Sequence, residues 1–199
     1  YRKNKNQEMK KLLVSLYNQA VQVNQQNILQ LVRGEQNNKL LDLGCGDGQF
    51  GLAIAKEIQA KKIYGVDVDD YYLNKAQKNG LEIIKANLNQ KLPFSNCFFN
   101  IIIANQIIEH LANIDIFLDE ILRILKPGGK AIISTENGSS WINIIAAILG
   151  WQIFSSTNMS IKQSGIGNPF ALHRKEKMLY PSWTHKTIFN FRGFKEILQ

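Results

Sequence analysis

The sequence is poor in cysteine. Its 199 residues hold two, Cys45 and Cys97, with no CxxC or CxxH around either. That excludes a disulfide framework and offers no zinc-ligand spacing, so no metal is expected and a reducing cytoplasm is the expected location. Long apolar runs are also missing. The longest stretch, Trp141–Phe154, contains Asn143, Gly150 and Gln152 and falls short of the roughly 18 residues of a membrane-spanning helix. No signal-peptide pattern, internal repeat or low-complexity tract is present. The chain opens on Tyr1 and not on Met, which is read as a trimmed or partial chain. Disorder is excluded by composition: 45% of residues are hydrophobic and they are patterned.

Charge is the one lopsided feature. The net charge of +8 sits at the two ends: residues 1–11 carry five basic groups and one acid, and residues 161–199 carry seven and two. The middle is nearly neutral. Basic ends fit solvated helix faces, an acidic substrate, nucleic acid or an anionic membrane surface.

Periodicity predicts one α/β domain over 1–199. Leu12, Leu13, Leu16, Tyr17, Ala20 and Val21 have helical spacing and place an N-terminal helix in 1–34. Lys39–Leu43 reads as a short buried strand, Phe50–Ala60 as a helix and Lys62–Val68 as a second strand. Asp69 or Asp70 caps the next helix, which Gly80 stops. A third strand falls in "LEIIKANL", a fourth in Phe98–Gln106 and a fifth in Lys130–Asn137, with an amphipathic helix in Ile114–Gly129, stopped by Pro127, Gly128 and Gly129, between the last two. Strands alternating with helices imply βαβ units and a Rossmann-like, doubly wound, mostly parallel sheet. The expected layout is a core at 38–137, a cap over the acceptor site at 138–185 and a final helix with its lead-in at 186–199.

The turn after the first strand carries "LLDLGCGDGQF", with Gly44, Gly46 and Gly48 two apart. A dinucleotide fingerprint is G-x-G-x-x-G, and Gln49 stands where its third glycine belongs. Asp42 ends the strand, where a carboxylate would repel a pyrophosphate and attract an ammonium. Asp42, the three glycines, "YGVDVDD", "NIIIANQIIEHL" and "LRILKPGGKAIIST" together resemble class I S-adenosylmethionine-dependent methyltransferases of the type 11, ubiquinone-biosynthesis-like group. The resemblance runs from about Leu40 to Thr135.

The resemblance implies S-adenosylmethionine as cofactor and assigns it residues. Gly44, Cys45, Gly46 and Gly48 bring backbone close to the methionine part, with Cys45 a small filler. Asp42 receives the ammonium, directly or through water, and Asp67 accepts the ribose hydroxyls. Val68 packs on adenine, Asn87 offers its carbonyl to the adenine amino group, Leu88 adds an apolar contact, and Asn105 lies beside the methionyl moiety. Family members usually add an antiparallel strand pair after the last helix; here it is expected to be missing.

Methyl transfer from a sulfonium needs mainly orientation, and a base only if the acceptor must lose a proton. His110, in "IIEHL", and His185, before the last helix, are the weak candidates. The (D/N)PP(Y/F) motif of DNA amino-methylating enzymes is absent, and no RNA-binding module is recognisable, which argues against nucleic acid as partner. A small-molecule acceptor, hydrophobic or acidic, is expected. The stretch 141–154 fits an apolar lid or a peripheral membrane contact, and Gly165 and Gly167 read as hinges of a mobile segment. A non-catalytic cofactor-binding protein and an RNA-directed methyltransferase remain the alternatives.

Overall fold

The computed structural model describes residues 2–35, 39–174, 176 and 181–199. They form two compact units, Gln25–Thr135 and Tyr1–Asn24 with Glu136–Gln199. The first helix, α1 (Arg2–Val32), runs through both.

The unit Gln25–Thr135 is built on a five-stranded parallel sheet of order β3-β2-β1-β4-β5. Its strands are β1 (Lys39–Leu43), β2 (Lys62–Asp67), β3 (Glu82–Lys85), β4 (Phe99–Asn105) and β5 (Leu125–Ser134). Three helices connect them: α2 (Gln49–Glu57), α3 (Asp70–Lys78) and α4 (Ile114–Ile124). Right-handed crossovers carry α2 and α3 over one face and α4 over the other. Both faces are therefore covered, which is why β1 and β4 are almost wholly apolar: Leu40, Leu41, Leu43 and Ile101–Ala104 are fully buried. Leu40 pairs with Ile63 on one side and Ile101 on the other. One face closes with Ile54 of α2 and Ile58 at its C-cap, Leu73 and Ala76 of α3, and Ile28 and Val32 from the end of α1.

Local chemistry sets the helix ends. Asp69 caps α3, its side chain accepting the Tyr71 N–H at 2.9 Å, and Asn113 caps α4 by accepting the Ile116 N–H at 3.2 Å. Helix α4 stops at Ile124, just ahead of the expected stop at Pro127, and β5 starts at Leu125 instead of Lys130. Pro127 disfavours a helical Lys126, and the carbonyls of Arg123 and Ile124 accept the Cys97 and Phe98 N–H groups at 2.9 and 2.7 Å. The loop into β4 is fixed by Glu120 and Arg123. Glu120 accepts the Leu92 N–H at 2.7 Å and pairs with Arg123 at 2.6 Å, while Arg123 also donates to the carbonyls of Phe94 and Leu92.

The unit Tyr1–Asn24 with Glu136–Gln199 contains α5 (Trp141–Ile148) and α6 (Phe191–Ile197), so the final helix is shorter than the 186–199 expected for it and its lead-in. Buried amides organise it. Asn143, 2% exposed, donates to Ser155 Oγ at 2.8 Å and accepts the Phe154 N–H at 2.8 Å. Asn168 donates to the Gln152 carbonyl and accepts the Phe170 N–H. Gly165 and Gly167 have φ of +73° and +66°, and a Cβ at Gly165 would meet Arg174 Cα at 2.5 Å. They sit in packed turns, where the sequence predicted hinges. No helix among the described residues is long and apolar enough to cross a membrane.

Candidate functional site

Strand order reverses between β1 and β4, and in such sheets ligands bind at the carboxyl ends of the strands on either side of that point. The loop after β1 lies there. Gly44, Gly46 and Gly48 all have positive φ, at +73°, +53° and +80°. The reasons for glycine differ. A Cβ on Gly44 would meet Ile107 at 2.7 Å and one on Gly48 would meet Leu81 at 2.8 Å, whereas Gly46 faces open space for 4 Å. Two of the glycines serve packing, and Gly46 leaves room on the open side.

The loop is tied to the end of β2. The Val66 carbonyl accepts the N–H groups of Gly44 and Cys45 at 2.8 and 3.0 Å. Asp67 Oδ2 accepts the Gly46 N–H at 3.0 Å, and its Oδ1 accepts those of Val68 and Asp69 at 2.7 and 3.0 Å. A carboxylate offers about four lone-pair sites, so acceptor capacity remains. Val68 beside it is 47% exposed although apolar.

Asp42 is 4% exposed on the face of Leu40, under α2. Burial first, and then the charge of Asp67, push its carboxyl up to about 7. Burial foremost, and then the charges of Asp42 and Asp67, raise the Cys45 thiol, which disfavours the reactive thiolate. Two glycines that sequence reading passed over make this arrangement possible. A Cβ on Gly51 would lie 2.6 Å from Asp42 Oδ2, and one on Gly65 would lie 2.8 Å from Cys45 Sγ. Gly65 carried a signal, since a glycine inside a strand marks close approach; Gly51, within a helix, carried none.

Asn87 is exposed after β3, and its Oδ1 accepts both the backbone N–H and the side-chain amide of Asn89 at 3.0 and 2.9 Å. The carbonyl expected to serve adenine is thus engaged in a turn. Asn89, unremarked in the sequence, reaches across to accept the N–H groups of Ala112 and Asn113 at 2.7 and 2.9 Å. Leu88 is buried. Asn105 ends β4 and accepts the Ser134 hydroxyl at 2.6 Å. The next residue, Gln106, has φ +55°. A left-handed non-glycine residue costs about 1–2 kcal/mol and marks a position held for a purpose. His110 belongs to a short 3-10 turn with Glu109, which is 2% exposed and accepts the Thr135 hydroxyl at 3.0 Å.

The fold thus gathers Asp42, Gly44, Cys45, Gly46, Gly48, Asp67, Val68 and Asn105 at the ends of β1, β2 and β4. His185 belongs to the other unit, where its Nδ1 donates to the Ser155 carbonyl at 2.7 Å. That bond places the lone pair of a neutral ring on Nε2.

The donor set fits S-adenosylmethionine. A buried carboxyl held near neutrality suits an ammonium, and Gly46 leaves backbone room beside it.

Residues 41–133 match the family described as a methyltransferase domain. The chain is 28% identical over 167 residues to the ubiquinone biosynthesis O-methyltransferase of Rickettsia prowazekii, covering 68% of this chain and 66% of that one. It is 32% identical over 127 residues to the protein of the same name from Idiomarina loihiensis, covering 57% and 50%. The crystal structure of a SAM-dependent methyltransferase from Archaeoglobus fulgidus matches with a TM-score of 0.60 at 17% identity, over 90% of this chain and 66% of that one, which shows the shared fold. The chain spans between half and two thirds of the length of these curated relatives.

Proposed function

We propose that this chain, whose residues 41–133 match a methyltransferase domain, is a class I S-adenosylmethionine-dependent methyltransferase that transfers a methyl group to a small acceptor, hydrophobic or acidic, by in-line displacement. The cofactor of the family is S-adenosylmethionine, which when bound supplies a methyl already activated by its sulfonium. The observation that carries the reading is the buried Asp42 beside a glycine loop that Asp67 holds by Gly46.

The chain's own residues then orient and neutralise. Asp42 takes the ammonium, and Gly44, Cys45, Gly46 and Gly48 bring backbone to the amino-acid part. Asp67 accepts the ribose hydroxyls, and such bonds to a charged group contribute about 1.5–3 kcal/mol each. Val68 and Leu88 supply apolar surface for adenine. Asn105 stands by the methionyl part, and Asn87 acts through the turn it forms with Asn89. Orientation of this kind accounts for about 7–11 kcal/mol of barrier lowering in well-aligned reactions. An acceptor that must lose a proton would draw on His110 or His185. The relatives named for ubiquinone biosynthesis favour a small organic acceptor over a macromolecule.

The test is mass spectrometry of the full-length protein incubated with methyl-labelled cofactor and a cell extract. A labelled small molecule appearing with S-adenosylhomocysteine supports the reading. Tight cofactor binding without any S-adenosylhomocysteine would show a binding protein instead, and label in the RNA fraction would move the acceptor to RNA.

A further inference from the structure

The two units differ sharply in charge. Gln25–Thr135 carries twelve basic and twelve acidic residues, while Tyr1–Asn24 with Glu136–Gln199 carries twelve and four. The whole net charge of +8 therefore belongs to the second unit.

That unit also holds a strongly exposed apolar helix face. In α5, Asn143 and Ala146 are buried, while Trp141 and Ile148 are 81% and 79% exposed and Ile145 is 55% exposed. Ile144 and Leu149 are exposed alongside them. These positions are three, four and seven residues apart and form one stripe. No charged residue occurs between Glu136 and Lys162, so nothing on the helix competes with burial of that stripe.

We propose that this unit docks on a membrane surface containing anionic lipid, with the α5 stripe lying in the interface. This does not rest on the methyl-transfer reading. The chemistry selects this occupant on three grounds. A short apolar helix alone gives marginal membrane binding, and stable binding takes a second signal, which the net charge of +8 provides. A second copy of the chain seated on the same stripe would bring two strongly basic units together. RNA would call for basic residues interleaved with stacking aromatics, whereas the α5 stripe is four aliphatic residues and one tryptophan with no charge.

The test is flotation of the full chain with vesicles of phosphatidylcholine alone or mixed with phosphatidylglycerol. The chain should float with the mixed vesicles and about tenfold less with the neutral ones, an effect that added salt removes. Trp141→Ala with Ile148→Asn should lower flotation about tenfold or more, by loss of buried apolar surface, while the circular dichroism spectrum and melting of the whole chain stay as in the wild type. Brominated phosphatidylglycerol should quench tryptophan emission, and the milder Trp141→Phe should remove most of that quenching, leaving what Trp151 and Trp183 contribute. Flotation unaffected by the double change, or quenching left unchanged by Trp141→Phe, would overturn the proposal. So would a dimer that the double change dissociates, or RNA binding without vesicle binding.

Discussion

The Asp67 carboxylate accepts the Gly46 backbone N–H at 3.0 Å across 21 residues of sequence, joining the end of β2 to the loop after β1. One side chain thereby sets the loop and faces the sugar position. Asp67→Ala should weaken S-adenosylmethionine binding on the order of a hundredfold or more, the loss of two charge-assisted bonds. Asp67→Asn should weaken it less, because an amide oxygen still accepts from Gly46. Calorimetry on the two variants checks the order.

Asp42 makes binding depend on pH. Its carboxyl is held up at about 7, so below that pH it is protonated and a cationic ligand must displace the proton. Affinity should fall as pH drops below 7, by up to about tenfold per unit, with proton release to buffer. Asp42→Asn should flatten that dependence and lower affinity above pH 7. The sign for stability runs the other way. A raised carboxyl favours the fold below the ordinary range near 4, and that contribution is lost as pH rises through 7. Asp42→Asn should therefore raise the melting temperature of the ligand-free protein at pH 8.

The glycines of the loop are separable. Gly48→Ala forces a Cβ to 2.8 Å from Leu81 at a positive φ and should cost about 2–4 kcal/mol by denaturant titration. Gly46→Ala meets nothing within 4 Å and should cost about 1–2 kcal/mol of backbone strain, yet reduce cofactor affinity more than Gly48→Ala reduces it in the folded fraction.

Arg123→Ala removes the partner of a largely buried Glu120 and the clamp on the Leu92 and Phe94 carbonyls. It should destabilise by about 3 kcal/mol. The Arg123 guanidinium hydrogen bond holds Glu120 below the usual carboxylate range. The contribution is thus present above the ordinary glutamate range near 4.3 and lost as pH falls below it, so wild type and Arg123→Ala should converge in acid melts.

Much of this was legible because parallel strands buried on both faces write themselves as short apolar runs: β1 and β4 fall within a residue of where the pattern puts them. Asp69 was readable as a cap because an acid before a helix has few other uses. The start of β5 was misplaced because apolar periodicity continues through Leu125 while the hydrogen bonds that end α4 come from Cys97 and Phe98, far away in sequence. Gly51 and Asn89 escaped for the same reason. What they serve, Asp42 and the Ala112–Asn113 turn, is adjacent only after folding. Gly165 and Gly167 misled in the opposite sense. A glycine reads as freedom in a string of letters, but a Cβ at Gly165 would meet Arg174 Cα at 2.5 Å and one at Gly167 would crowd Gln152 at 3.0 Å.

Val68, 47% exposed next to Asp67 in sequence, leaves a wet oily wall beside the carboxylate. Seating a purine there would strip that wall of water, so cofactor association should carry a negative heat-capacity change, diminished when Val68 is replaced by Ser. Warming would then make the heat of binding steadily more exothermic, a thermal fingerprint that free adenosine should share and free methionine should lack.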